Sequence, residues 1–112
     1  MAYSNKAQFG TVRKAAFGAI TASYAAVGNP VSENVRIFYF GNSTDADMSV
    51  SFDGTTENMI IAAASFQLYD FTANEVQDIG WWIPIGTVIY IKYLSVPTKG
   101  RFWIQETYGT FL

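Results

Sequence analysis

Ten Ile, eight Val and ten Thr stand against three Leu, and this skew toward β-branched side chains constrains the fold more than any other feature of the sequence. Such side chains pack well on a pleated sheet and lose rotamer freedom in a helix. Turn signals punctuate the chain at Asn29-Pro30, Gly41-Asn42, Asp53-Gly54 and Lys99-Gly100, the spacing of short strands joined by tight connections. No segment keeps a clean helical period over ten residues. The 112 residues suffice for one core, which at this size needs no covalent or metal staple.

The alternation is read strand by strand. Residues 15–24 form a strand with a bulge near Gly18, because Phe17 and Ile20 do not share one parity. Val35, Ile37 and Tyr39 fall on one face of the next strand and Arg36, Phe38 and Phe40 on the other. Met48, Val50 and Phe52 alternate with Ser49 and Ser51, which predicts one face inside and one in water. Strands follow over 59–64 and 66–71, the second setting Phe66, Leu68 and Asp70 against Gln67, Tyr69 and Phe71. After a polar loop at 72–78 come strands over 81–85, 87–94 and 101–108, the last two expected to form a hairpin around Val96 to Gly100. The prediction is an all-β protein, a single antiparallel β-sandwich, with a jelly roll as one form of it. The domain spans 15–109, with an extended N-terminal arm over 1–14 and a C-terminal tail over 110–112.

Composition excludes whole classes of chemistry. With no Cys and no His, the chain has no Ser-His or Cys-His machinery, no thiolate redox chemistry and none of the usual zinc, copper or haem ligands. Seven basic and nine acidic residues are interspersed, so no broad cationic face for duplex DNA is expected. The longest apolar run, about Gly80 to Ile91, contains Pro84 and is far short of the ~20 residues that span a bilayer. The N-terminus lacks the apolar core of a secretory signal, so the chain is expected to start where it is written and to be made in a reducing cytoplasm.

A few constellations merit weighing. Asp45, Asp47 and Asp53 are close in sequence and could offer oxygen ligands to calcium, but the frame of a calcium-binding hand is missing. The structural alternative is that Asp45 and Asp47 cap the turn entering a strand and Asp53-Gly54 makes the turn leaving it. Trp81 and Trp82 point to opposite faces of a strand, one into the core and one outward. Trp103 is a second outward aromatic, suited to a sugar ring or a protein partner. Glu57, Glu75, Asp78 and Glu106, with Asp53, could supply paired carboxylates for glycoside chemistry, yet nothing sets their separation. No enzyme, metal or cofactor is expected. Lys6, Arg13 and Lys14 make the first fourteen residues basic with no acid to offset them, which suits a phosphate backbone or an acidic neighbour weakly, or a solvated terminus equally.

Taken together and in order, Ala16 to Gly28, Gly41 to Asp47, Ser51 to Gly54, Gly86 to Lys92 and Pro97 to Gly100 resemble the small all-β virion proteins encoded in the structural gene blocks of tailed bacteriophages. The resemblance runs over about residues 15–109. It implies assembly as the function, by decorating a capsid, forming a neck ring or belonging to the tail. The partners it implies are copies of the chain and other virion proteins, such as the major capsid, portal or tail proteins, in a virion made in the host cytoplasm. The expected contact elements are the basic arm with Lys6, Arg13 and Lys14, the aromatics Trp81, Trp82 and Trp103, and the tail with Tyr108, Phe111 and Leu112. The alternative is a carbohydrate-binding module at a host cell surface, carried by the same tryptophans.

Overall fold

The β-branched bias is realised as nine strands and one turn of 3-10 helix in a computed structural model that describes residues 5–70 and 83–111, the side chains of 5, 6, 110 and 111 excepted. The strands are β1 (Asn5–Phe9), β2 (Arg13–Ala16), β3 (Ala25–Ala26), β4 (Val35–Asn42), β5 (Met48–Ser51), β6 (Met59–Ile61), β7 (Ser65–Asp70), β8 (Tyr90–Tyr93) and β9 (Arg101–Phe111). All pairings are antiparallel. The first sheet runs β1-β9-β4-β7, with β2 also on β9, and the second runs β3-β8-β5-β6. They pack as a sandwich, the arrangement predicted from the alternation.

The core lies between the sheets. Phe38, Phe40, Phe102 and Ile104 of the first sheet meet Met48, Val50, Ile61 and Ile91 of the second, all fully or almost fully buried. Burying a side chain of this kind contributes about 1.5–3 kcal/mol. Phe40 sits 6.1 Å from Tyr69, edge to face, and 6.5 Å from Phe102.

One side chain organises the corner where the sheets come together. Asn42 is buried at the end of β4. Its Nδ2 donates to the carbonyls of Ala46 (2.9 Å), Ile61 (3.0 Å) and Ala62 (3.2 Å), and its Oδ1 accepts from the Thr44 N–H (3.0 Å) and hydroxyl (2.6 Å). It thus ties the β4–β5 connection to the turn between β6 and β7.

Several expectations are corrected. The strands at 87–94 and 101–108 do not form a hairpin: β8 lies in the second sheet and β9 in the first. The connection crosses the sandwich because Asp45 accepts from the Thr98 N–H (2.8 Å) and hydroxyl, pinning the segment to the opposite loop. Gly100 then passes against the Ser43 carbonyl at φ +85°, where a Cβ would overlap that backbone. No bulge occurs at Gly18; Phe17–Ala19 make a 3-10 turn instead. The irregularity is in β4, between Val35 and Ile37. It turns Val35 inward with Phe38 and Phe40 and leaves Ile37 and Tyr39 on the outer face, so Val35 does not share a face with them. Ser49 and Ser51 are not in water. The Tyr24 hydroxyl shares a hydrogen bond with Ser49 Oγ (2.6 Å), its ring lies under the Lys92 ammonium (4.7 Å), and Ser51 Oγ donates to Asp53 (2.9 Å). Residues 71–82, with the loop at 72–78, lie outside the described ones. From the strand expected over 81–85, Ile83 forms an isolated bridge to Val35.

Candidate functional site

Alternation in β9 sends Phe102, Ile104 and Glu106 inward and Arg101, Trp103, Gln105 and Thr107 to the outer face of the first sheet. The register then fixes their neighbours there. Trp103 lies beside Lys14 of β2 and Gly41 of β4, and Gly41 beside Phe66 of β7. Gln105 lies beside Tyr39, and Tyr39 beside Leu68. Thr107 lies between Phe9 and Ile37. Gly41 has a packing purpose: a Cβ there would overlap the Trp103 indole, so the missing side chain lets the ring lie across β4.

The result is an aromatic row on the outside of the protein. Tyr39 and Phe66 stack with centroids 5.4 Å apart and planes 14° from parallel, and Tyr39 meets Trp103 at 6.4 Å and 31°. Phe66 is 59% exposed, Leu68 55% and Phe9 78%. Exposed apolar side chains grouped in this way make the outer face of the first sheet the candidate contact surface. Trp103 was expected from sequence as an outward aromatic, and the structure gives it company. Tyr39, Phe66 and Leu68 were not singled out. The signal available for them was Gly41 in the middle of an otherwise strong strand, which implies a large side chain from a neighbouring strand.

Of the basic residues of 1–14, Arg13 and Lys14 face opposite ways. Lys6 lies in β1 opposite Thr110, and its side chain is outside the described ones. Arg13 turns inward, where it pairs with Glu106 (Nη2 to Oε1, 3.4 Å), both side chains 11% exposed, and donates to the carbonyls of Val27 (3.0 Å) and Asn29. It fastens β2 to β9 and to the loop after β3. Lys14 is exposed on the outer face. Tyr108 sits half-buried beside Val35 and, with Arg13 and Glu106, lines a cavity of about 670 Å³ rimmed by Phe9, Asn29 and Glu33. Phe111 is opposite Asn5, so the first and last described strands run together as a ribbon. Trp81, Trp82 and Leu112 are outside the described residues.

The aspartates serve turns. Asp47 accepts from the Ala63 N–H (2.9 Å). Hydrogen bonds from Thr98, its hydroxyl first, hold the Asp45 carboxyl below its usual range. Asp53 is held well below that range by Thr56, whose N–H donates at 2.7 Å, then by Thr55 and Ser51. Each carboxylate is engaged by its own set of donors. Among the described residues no three His, Cys, Asp or Glu side chains come together. Of the carboxylates considered for hydrolysis, Asp53 follows β5 in the second sheet, Glu106 is paired in the first, and Glu57 is exposed between β5 and β6; Glu75 and Asp78 are outside the described residues.

This sandwich is similar to a phage capsid chain. A solved chain from the cyanophage Pam1 capsid asymmetric unit matches with a TM-score of 0.52 and 16% identity, over 100% of this chain and 89% of that one. At that identity the likeness is one of fold. No protein-family model and no curated protein matches the sequence. No helix among the described residues is long and apolar enough to cross a membrane.

Proposed function

We propose that the chain is a structural protein of a bacteriophage virion, held in the particle by surface contacts with copies of itself and with other virion proteins. The observation that carries this is the likeness, along the whole chain, to a capsid component of cyanophage Pam1. With β1 and β2 counted as one broken strand, we read the two four-stranded sheets as a jelly roll, an architecture used by viral capsid and lectin domains alike. The capsid likeness tips that choice toward the particle. It also leads us to favour decorating or stabilising the shell over a place in the neck or tail.

The mechanism is burial of the outer aromatic face, at about 25 cal/mol per Å² of apolar surface less the freedom lost on docking, made effective by many identical copies. The expected partners are the major capsid protein and neighbouring copies, in a virion assembled in the host cytoplasm. Mass spectrometry of gradient-purified particles tests the proposal: the chain is expected at a stoichiometry comparable to that of the shell protein. Its absence from particles that contain every other structural protein refutes it.

A second reading, a carbohydrate-binding module, is favoured by one observation, the half-buried Trp103 indole on an outer sheet face. Against it, Tyr39 and Phe66 turn their rings toward each other. Titration of tryptophan fluorescence with host polysaccharide separates the two, since this reading requires a saturable change that Trp103→Ala abolishes.

A further inference from the structure

The seven cationic side chains of the sequence are not equally engaged. Arg13 is paired with Glu106, the Lys92 ammonium lies over the Tyr24 ring, the Lys99 charge acts on the Asp45 carboxylate, and Arg36 has an interaction of its own. The Lys6 side chain is outside the described ones. Lys14 and Arg101 remain. Both are exposed, and among the described residues neither has a carboxylate within ion-pair distance. The register brings them together. Lys14 is opposite Trp103 and Arg101 opposite Ala16, so the two cations are diagonal neighbours on the outer face of the first sheet, roughly 7 Å apart at Cβ. With Ala16, Phe17 and Gly100 they line a hollow of about 490 Å³. The Phe17 N–H donates to the Gly100 carbonyl (3.1 Å), which holds the two sides of the hollow together. The residues outside the description join the chain at the other end of this sheet, through Asn5 and Phe111, which pair with each other, and through Asp70 and Ile83, opposite Ile37 and Val35.

We propose that this hollow binds a carboxylate side chain of a protein partner whose neighbouring apolar side chains cover the row of Trp103, Tyr39 and Phe66. Two unpaired like charges this close repel each other, and an anion shared between them removes that repulsion. Arginine offers a carboxylate a flat pair of donors, and lysine adds a mobile point charge. Trp103 lies directly beside Lys14 and meets Tyr39, so the cationic hollow and the apolar row form one continuous surface. A segment that sets Asp or Glu next to an apolar residue satisfies both parts of it. Nucleic acid fits less well. Two cations neutralise two phosphates at most, which gives weak and salt-sensitive binding, and the Tyr39 and Phe66 rings are stacked on each other rather than open to bases. The site deepens the assembly reading by naming the chemistry of the partner, and its use in a particle rests on that reading. The binding itself is measured on the isolated protein, so either can fail while the other stands.

The probe is the peptide acetyl-Leu-Glu-Phe-Glu-Leu-amide, titrated at low salt into the isotope-labelled protein and followed by NMR. The Trp103 indole N–H and the Phe17, Gly100 and Arg101 amides are expected to shift saturably, and the same peptide with Gln in place of Glu to bind several-fold more weakly. Lys14→Gln and Arg101→Gln should each weaken binding of the acidic peptide about two- to fivefold, the range of an exposed ion pair, and raised salt should weaken it as well. Lys92→Gln, which removes a cation from the second sheet, should leave the affinity unchanged, with circular dichroism showing all three variants folded. Equal affinity for the acidic and the neutral peptide, no shift at millimolar peptide, or shifts confined to other parts of the surface overturns the carboxylate site. Oligothymidylate that shifts the same residues and binds more tightly than the peptide overturns the choice of a protein partner.

Discussion

Replacing Asn42 by Ala tests the corner on which the two sheets depend. The side chain is 1% exposed and engages both the Thr44 N–H and the carbonyls of Ala46, Ile61 and Ala62. The Ala46 carbonyl keeps one donor, the Thr44 hydroxyl at 2.9 Å, so the loss falls mainly on the Thr44 N–H and the Ile61 carbonyl, with a smaller part at the partly exposed Ala62. A buried polar group left without its partner costs about 1–3 kcal/mol. Two such groups give a loss of about 2–6 kcal/mol, from a total that for a domain of this size is about 5–15 kcal/mol. With an unfolding entropy near 2.1 cal/mol/K per residue, each kcal/mol lowers Tm by about 4 °C, so the midpoint should fall by about 8–25 °C. Urea and thermal unfolding followed by circular dichroism and tryptophan fluorescence give both numbers. Asn42→Asp, of the same shape, should cost more, because it turns an oxygen toward three carbonyls. A loss below about 1 kcal/mol for Asn42→Ala would show that the network does not hold the corner and that β6 and β7 are positioned by apolar packing alone.

Other outcomes follow from single contacts. Gly100→Ala, at φ +85° against the Ser43 carbonyl, should lower stability by about 2 kcal/mol or more in thermal melts, whereas Gly18→Ala, with open space around it, should change little. Arg13→Ala should cost about 3–5 kcal/mol by leaving Glu106 unpaired and largely buried, and the double change Arg13→Met, Glu106→Gln should cost less in urea titrations. Asp45 and Asp53 have folded pKa values below their unfolded ones, so their contribution is fully present above about pH 4 and is lost as the pH falls through the folded values. Melting temperature should therefore drop below pH 4, and Asp53→Asn should lower stability at pH 7 while flattening that drop.

What was legible in the sequence follows from what alternation encodes. Period-two patterning sorts residues onto faces, and it located β4, β5 and β9 and the sandwich class. It does not encode partners, which is why two adjacent apolar stretches read as a hairpin although Asp45, some fifty residues away, draws their connection across the sandwich. One irregular residue in β4 was enough to move Val35 to the other face. Ser49 and Ser51 read as wet because the ring that covers Ser49 comes from Tyr24, on a distant segment. Likewise Arg13 read as part of a basic arm, since its partner Glu106 is 93 residues further on. Of the candidate contact residues, Trp103 was visible as an isolated outward ring. The row it forms with Tyr39 and Phe66 became visible only once the register of three strands was known.

A cryo-electron microscopy reconstruction of the phage particle proposed to carry this protein bears most directly on the account. The expected result is a β-sandwich on the shell with Trp103, Tyr39 and Phe66 in van der Waals contact with a neighbouring subunit. A particle without such density, or one in which that aromatic face looks into open solvent, contradicts it.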